Sequence, residues 1–534
     1  MAINPVESVA DNSHSQGKSS RIWPFGLAAT VCAFLYSIHL YRCQQSSLQF
    51  LDALYTYSDM HANLMWARGI REQGWLNPLP YHPWADWMQA IAPYPQWVKW
   101  WGGEQIFQQS PLYAYLVGLF LPNYFLIRVF QALLHTGTCV FLGLLTDRVA
   151  GRVAGWIAFW LAALYAPFYA YSWPFLRDGL GWFLTAATLW ALTVLTQADW
   201  TSERSRWLAW ATGVLLGVGF LARETFLLVI PLALFVLCLF AWKRGQWKIV
   251  ARVGIGTVLA ITPLLIRNHA VNAPLLSTST RFVETFIHGN AHTAHPYFFL
   301  IPTETGQILE ESNGKALPAI RATIASFPNG VWGWLGLQRR KALSLLDPFE
   351  SPDNLSIYFV ATISPVVRFG LKYWMILVPA CAGLLLSVWR RERAQMWLWI
   401  FLPVVLASVF VGVPGSRYRQ SLAVFLIPFA AYFCASLWVL IRRHEFIWVA
   451  GATAALLIGW GLVLGPFAKQ PRSHYERPAE YVFAGWLYHR LGDEQRSNAM
   501  IDYVRRNFPG ALPPNFSLDD ASQGGSHGNI PPTH

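Results

Sequence analysis

Charge is what this sequence has least of: only 13% of its 534 residues are Asp, Glu, Lys or Arg, against about a quarter in soluble proteins. A water-exposed globule of this size is thereby excluded. Its cysteines show no C-x-x-C pairing, and Cys32, Cys139, Cys238, Cys381 and Cys434 all fall inside apolar runs. They read as small hydrophobes, giving neither a disulfide nor a metal site. The net charge of +12 is scattered in twos and threes between apolar runs and forms no continuous basic stripe, which argues against nucleic acid. There is no P-loop and no G-x-G-x-x-G, so no nucleotide-binding loop is in evidence. No alternating ten-residue strand pattern appears, and a membrane-spanning β-barrel is set aside.

What the chain has instead is apolar length: 54% hydrophobic residues, in runs of about 17 to 25 that each suffice to cross a bilayer as a helix. Such runs fall near 23–41, 124–145, 153–171, 175–195, 207–221, 226–242, 249–266, 370–389, 395–413, 420–441 and 446–465. The expectation is an all-α polytopic membrane protein of about eleven spans. Residues 1–20 are polar with no hydrophobic core of a signal peptide, so the run from Trp23 reads as a retained first span. Placing 1–22 in the cytoplasm puts Arg148 and Arg152, Arg204 and Arg206, Lys243, Arg244, Lys248 and Arg252, Arg390, Arg391 and Arg393, and Arg442 and Arg443 on that same side. The opposite short turns hold only Arg177, Arg223, Arg417 and Arg419. This is the positive-inside asymmetry. Two large polar loops, 45–111 and 267–369, and a tail, 466–534, then lie outside the cytoplasm, with 23–465 as the membrane domain.

The first loop carries Tyr57-Ser58-Asp59-Met60-His61 just beyond a span, where a carboxylate meets lipid headgroups yet stays wet enough to ionise. Two readings of Asp59 stand: a helix cap opening residues 60–72, or a functional acid. The same loop holds Pro83-Trp84-Ala85-Asp86-Trp87 and Gln96-Trp97-Val98-Lys99-Trp100-Trp101, which read as short helices on the bilayer surface because Trp rings favour the interface.

Seven short motifs occur in an order that resembles a known family: Ser58-Asp59-Met60-His61-Ala62-Asn63-Leu64 with Ala67-Arg68; Gln109 to Leu116; Arg128-Val129-Phe130-Gln131-Ala132-Leu133-Leu134; Leu221-Ala222-Arg223-Glu224; Thr262 to Asn268; Ile287-His288-Gly289-Asn290; and Ser416-Arg417-Tyr418-Arg419. Together they look like the polyprenyl-phosphate-sugar glycosyltransferases of the GT-C class, the bacterial relatives of the dolichyl-phosphate-mannose protein mannosyltransferases and of the lipid A aminoarabinose transferase. Two departures stand out. Asp59 lacks the second adjacent acid that many members carry, and no aromatic residue precedes Ile266 before Arg267-Asn268.

The resemblance implies a GT-C-like helical bundle in a bacterial inner membrane, with the N-terminus cytoplasmic and an extracytoplasmic active site. It would transfer a hexosyl or pentosyl unit from a polyprenyl-phosphate donor to a protein, lipid or glycan acceptor. That chemistry needs a base for the acceptor and cations for the departing phosphate. Asp59 suits the base. Arg417, Tyr418 and Arg419 at one span's mouth suit the phosphate by bidentate pairing, against the alternative of headgroup snorkelling. Arg267 and His269 are a second phosphate candidate. Arg177-Asp178 and Arg223-Glu224 each read as an opposite-charge pair at a helix end.

Some relatives use an external metal, and Glu284, His288 and His292 fall at steps of four that would align on one helical face. Gly289-Asn290 and Pro296, near His295, argue against a continuous helix there. No cofactor follows firmly. Asp347-Pro348-Phe349-Glu350 has no assigned role. Residues 479–509 resemble one tetratricopeptide helix pair, with Tyr481, Ala484, Leu487, Leu491, Gly492, Ala499, Ile501 and Val504 at helical spacing. A single pair cannot bury both faces, so it should dock on the external loops, followed by a disordered end. A lipid or glycan transporter or flippase would need polar groups near the bilayer midplane and paired, interrupted halves, which the sequence lacks; a polysaccharide polymerase or ligase would share the lipid-linked donor.

The orientation is tested by single cysteines introduced near Ala90, Ile320 and Gly245 in a background without native cysteines. An impermeant thiol reagent applied from outside should label the first two and spare the third; labelling at Gly245 would invert the topology.

Overall fold

The structure, a computed structural model, describes residues 23–55, 58–465, 477–513 and 516–518. The segment 1–22 and the end expected to be disordered lie outside the described residues. Among the described residues the fold is all-helical, and the extended pairings are two isolated bridges, Tyr165–Leu371 and Asp353–Leu355.

Among the described residues, eight helices are long and apolar enough to cross a membrane: Tyr124–Ala150, Asp178–Gln197, Glu203–Ala222, Phe226–Arg244, Trp247–Ala270, Arg393–Val411, Ser416–Arg442 and Phe446–Leu464. Trp23–Gln44, Arg152–Ala163 and Tyr373–Trp389 occupy three more of the expected runs. The expected span 153–171 is not one helix. It stops at Ala163 and resumes at Ala166–Ser172, where Pro167 suits a helix start but would break a helix interior. The freed backbone groups are met by Leu371, whose N–H donates to Leu164 O at 2.7 Å and whose carbonyl accepts from Ala166 N at 2.9 Å.

Small residues set how closely the long helices approach. Glu203–Ala222 and Trp247–Ala270 meet at Gly213 and Gly217, and a Cβ on Gly213 would lie 2.2 Å from Val253 O. Thr257 Oγ1 donates to Gly213 O across this seam at 3.1 Å, so contact comes from backbone proximity and a hydrogen bond where lipid removes the hydrophobic drive. Gly383 serves the same purpose for Tyr373–Trp389, where a Cβ would lie 1.9 Å from Phe429 O.

At one end of the bundle the two polar loops fold onto each other. The first is helical in pieces, Asp59–Gln73, Asp86–Ile91, Tyr94–Trp101 and Leu112–Phe120. Trp97, Trp100 and Trp101 are buried against Ile287, Ala291, Ile308 and Leu309 of the second loop. The expectation of surface-lying aromatic helices is corrected to this extent: these rings make an inter-loop core, because a second apolar surface was available to cover them.

Two tail helices, Pro478–Arg490 and Glu494–Asn507, pair through Tyr481, Ala484, Leu487, Ile501 and Val504, whereas Leu491 and Ala499 are exposed. The pair packs on the same end of the bundle. Tyr488 Oη accepts from Ser47 N at 3.2 Å, Glu480 Oε1 from Ser356 N at 2.6 Å, and Arg477 Nη2 donates to Pro352 O at 2.6 Å.

Behind the loops, Asp52 and Arg128 form a buried ion pair, with 3% of each side chain exposed. Asp52 Oδ1 also accepts from Phe175 N at 2.5 Å, and the guanidinium lies 4.2 Å from the ring centres of Trp173 and Phe175. Asp52→Ala strands the arginine and should cost about 3–5 kcal/mol, with part of the loss recovered in Asp52→Ala/Arg128→Met. Thermal unfolding in detergent measures it, and a loss below about 0.5 kcal/mol would show that the pair does not hold the loop.

Candidate active site

Ser58, not Asp59, caps the helix Asp59–Gln73: its backbone is extended and its Oγ accepts from His61 N at 3.2 Å. The Asp59 carboxylate is therefore free of capping and faces groups from both polar loops. Its Oδ1 accepts from Gln109 Nε2 at 2.8 Å and Arg281 Nη1 at 2.5 Å; its Oδ2 accepts from Arg417 Nη2 at 2.7 Å and Asn354 Nδ2 at 3.3 Å. Asn354 also accepts from Asp59 N at 2.8 Å, from a left-handed backbone (φ 52°) that Asn tolerates better than most residues. Burial alone would raise the Asp59 pKa, but the Arg281 and Arg417 guanidiniums outweigh it and hold the carboxyl well below the usual range.

Arg417 is the node, entering from the first turn of Ser416–Arg442. Besides Asp59, its Nη2 donates to Tyr418 Oη at 2.9 Å, and its Nε lies 3.1 Å from Asp353 Oδ2 and 3.7 Å from Asp178 Oδ2. Its Nη1 is buried with no hydrogen-bond partner among the described residues.

The dipeptides Arg177-Asp178 and Arg223-Glu224 do not pair within themselves as expected. They pair crosswise: Arg177 with Glu224 at 2.7 Å, and Arg223 with Asp178. Adjacent residues at a helix end point apart, so each charge finds its partner on the neighbouring helix. Burial raises the Glu224 pKa, and Arg177 overrides this and brings it to about 2.

Other candidates fall elsewhere. Arg419 does not join Arg417, because residues two apart on a helix face away from each other. It donates to Asp347 O at 2.7 Å and Phe349 O at 2.5 Å, pairs with Glu350 at 3.0 Å and lies over the Tyr373 ring. Asp347 to Glu350 thus acquires a role as the loop Arg419 holds. Arg267 is buried and donates to Leu76 O and Asn77 O, each at 2.8 Å; it ties down the first loop, and His269 beside it is exposed.

Glu284, His288 and His292 do not converge. Their helix ends at Asn290, which breaks the four-residue stepping before His292. Glu284 accepts from Trp101 Nε1 at 3.1 Å, His288 stacks edge-on against Trp87 and Phe299, and His292 lies 3.6 Å from Glu304. Burial pushes His288 down to about 3. The donor set does not fit a shared ion.

Arg281, Asp353 and Asn354 were not legible in sequence: each sits in a loop without periodicity, and only the fold brings them to Asp59. Gln109 lies in a motif singled out above, without a role until its contact to Asp59 is seen.

Residues 108–266 match the model of the dolichyl-phosphate-mannose-protein mannosyltransferase family. No curated protein matches. Among solved structures, the Archaeoglobus fulgidus oligosaccharyltransferase in the apo form is similar at 15% identity and TM-score 0.45, over 92% of this chain and 60% of that one. The same enzyme's complex with Zn and sulfate gives 15% and 0.42, over 89% and 57%. Archaeal oligosaccharyltransferase AglB from Archaeoglobus fulgidus, in complex with an inhibitory peptide and a dolichol-phosphate, gives 13% and 0.41, over 92% and 60%. The chain thus spans about three fifths of these structures' length, and at these scores the likeness is too distant to locate a site or a substrate.

The division between the two arginines is open to test. Lysine keeps the charge but loses the planar fork, so Arg417→Lys should weaken affinity for a polyprenyl-phosphate sugar by roughly tenfold to a hundredfold. Arg419→Lys should leave affinity unchanged and lower the melting temperature. Equal effects of both on affinity would refute the assignment.

Proposed function

We propose that the chain is a membrane glycosyltransferase that moves a hexosyl or pentosyl unit from a polyprenyl-phosphate donor to a protein, lipid or glycan acceptor, working at the extracytoplasmic face of a bacterial inner membrane. The family match over residues 108–266 supports a lipid-phosphate donor. The observation that carries the reading is Arg417: a buried guanidinium beside Asp59 whose Nε and Nη1 make no hydrogen bond among the described residues, Nε still lying 3.1 Å from Asp353 and Nη1 open to an acceptor. Such a donor costs stability unless something accepts from it, and a phosphodiester oxygen is a matching acceptor.

In this reading the donor phosphate lies against Arg417 and Arg281. The acceptor's N–H or O–H nucleophile attacks the anomeric carbon, the bond from that carbon to phosphate oxygen breaks, and its electron pair leaves with the polyprenyl phosphate, which gains a second negative charge. The arginines stabilise that growing charge. The acceptor's proton goes to Asp59. Its strongly depressed pKa in the free site makes it a poor base, and an arriving phosphate corrects this by sharing the two guanidiniums that depress it.

The pH profile follows with a definite sign. In the free site Asp59 stays ionised down to well below pH 4, so kcat/KM should show no acid limb from this group between pH 5 and 8. With donor bound its pKa rises, and kcat should fall at a higher pH than kcat/KM does. Asp59→Asn, close in size but not basic, should lower kcat by about two to four orders of magnitude while leaving the protein folded. Transfer by the Asn variant at near wild-type rate would reduce Asp59 to a positioning group for its arginines.

A further inference from the structure

Away from this site, the helix Trp23–Gln44 brings Cys32 against His135 and Cys139 of Tyr124–Ala150. Their potential ligand atoms lie within 4.8 Å of one another, and all three residues are buried. The two sulfurs are 3.9 Å apart, and Cys139 Sγ is 3.9 Å from His135 Nε2. His135 and Cys139 are four residues apart and so share one helical face. His135 Nδ1 is also buried, with no partner among the described residues. Tyr36, Phe168 and Tyr169 wall the imidazole, with ring centres 5.3, 6.2 and 4.4 Å away.

We propose that Cys32, His135 and Cys139 bind a divalent thiophilic ion of the Zn2+ class. Tetrahedral zinc, with Zn–S about 2.3 Å and Zn–N about 2.0–2.1 Å, places sulfurs about 3.8 Å apart and sulfur and nitrogen about 3.6 Å apart. The Cys32–Cys139 and Cys139–His135 spacings need shifts of only a few tenths of an ångström, and the Cys32–His135 pair closes from within 4.8 Å. Charge selects the ion. Binding releases the two thiol protons, and two thiolates with one divalent cation are neutral, which an apolar interior accepts far better than the net negative charge a monovalent ion would leave. The three residues fill three of four tetrahedral positions. The sequence alone gave no hint, because Cys32 lies 103 residues before His135 and 107 before Cys139, and only the fold brings it to them.

The ion would fasten the first helix to the bundle. That helix is exposed along much of its length, at Leu27, Val31, Phe34 and Tyr41, and it leads directly into the loop that carries Asp52 and Asp59.

The test uses the full chain purified in detergent under reducing conditions, stripped with chelator and titrated with Zn2+ alone. Wild type should retain about one zinc per chain, and its melting temperature should rise with zinc. Cys32→Ser and Cys139→Ser should each bind at least roughly tenfold more weakly and lose the zinc-dependent rise. Cys43→Ser, on the same first helix but outside the cluster, should bind as wild type. Co2+ should give a thiolate-to-metal charge-transfer band in wild type, absent in the two serine variants. Should those variants not fold, zinc protection of Cys32 and Cys139 from alkylation in wild type, read by mass spectrometry, decides the matter. Equal zinc in wild type and variants, absence of protection, a Cys32–Cys139 disulfide in the purified chain, or preferential retention of Cu+ would each overturn the proposal.

Discussion

The ion pair between Asp59 and Arg417 is the constraint around which the rest of this end of the molecule is arranged. It joins the first polar loop to the start of the helix Ser416–Arg442, two segments 358 residues apart in sequence. Arg281, Asp353, Asn354 and Asp178 are then drawn in from separate elements to satisfy what those two groups leave over. A cluster of this kind contributes little net stability, because desolvation offsets most of the Coulomb gain. It does fix geometry, since losing any member would leave its partner as an uncompensated buried charge.

Arginine does three different jobs around it. Arg128 and Arg267 hold the first loop, Arg128 through the Asp52 carboxylate and Arg267 through the carbonyls of Leu76 and Asn77 and the Phe107 ring. Arg419 clamps residues 347 to 350. Arg417 instead binds the Asp59 carboxylate and keeps Nη1 without a hydrogen bond among the described residues. The tail acts at one remove: Glu480 and Arg477 bond Ser356 and Pro352, which flank the turn that supplies Asp353 and Asn354.

Much of the fold was legible because a bilayer demands long apolar helices, and the runs that satisfy it stand out from their flanks. The break at Leu164 and Tyr165 was not, since its carbonyls and amides are met by Leu371, a partner that hydropathy cannot reveal. Asp59 and Arg417 were legible through motif order, and their contact bears out neither role by itself. Arg419 and Arg267, both candidates for the phosphate by sequence, bind backbone carbonyls instead of joining Arg417, because an arginine at a span's mouth looks the same in sequence whether it faces a carboxylate or a backbone. Helical phase separates Arg417 from Arg419, because a step of two residues turns a side chain to the far side of its helix. The crossed pairing of Arg177 with Glu224 and Arg223 with Asp178 depends on which helices are neighbours, which no local pattern encodes.

Counting the charges gives a last step. Asp59, Asp178, Asp353 and Glu224 face Arg281, Arg417, Arg223 and Arg177, so the cluster is balanced with nothing bound. Adding an anion to a balanced, partly buried cluster acts first on the carboxylate whose arginines the anion takes. Asp59 shares both Arg281 and Arg417, whereas Glu224 keeps Arg177 and Asp178 keeps Arg223. In the proposed reading, a phosphate that engages Arg417 and Arg281 draws on both arginines that Asp59 faces and so makes Asp59 more basic when an acceptor proton has to be removed.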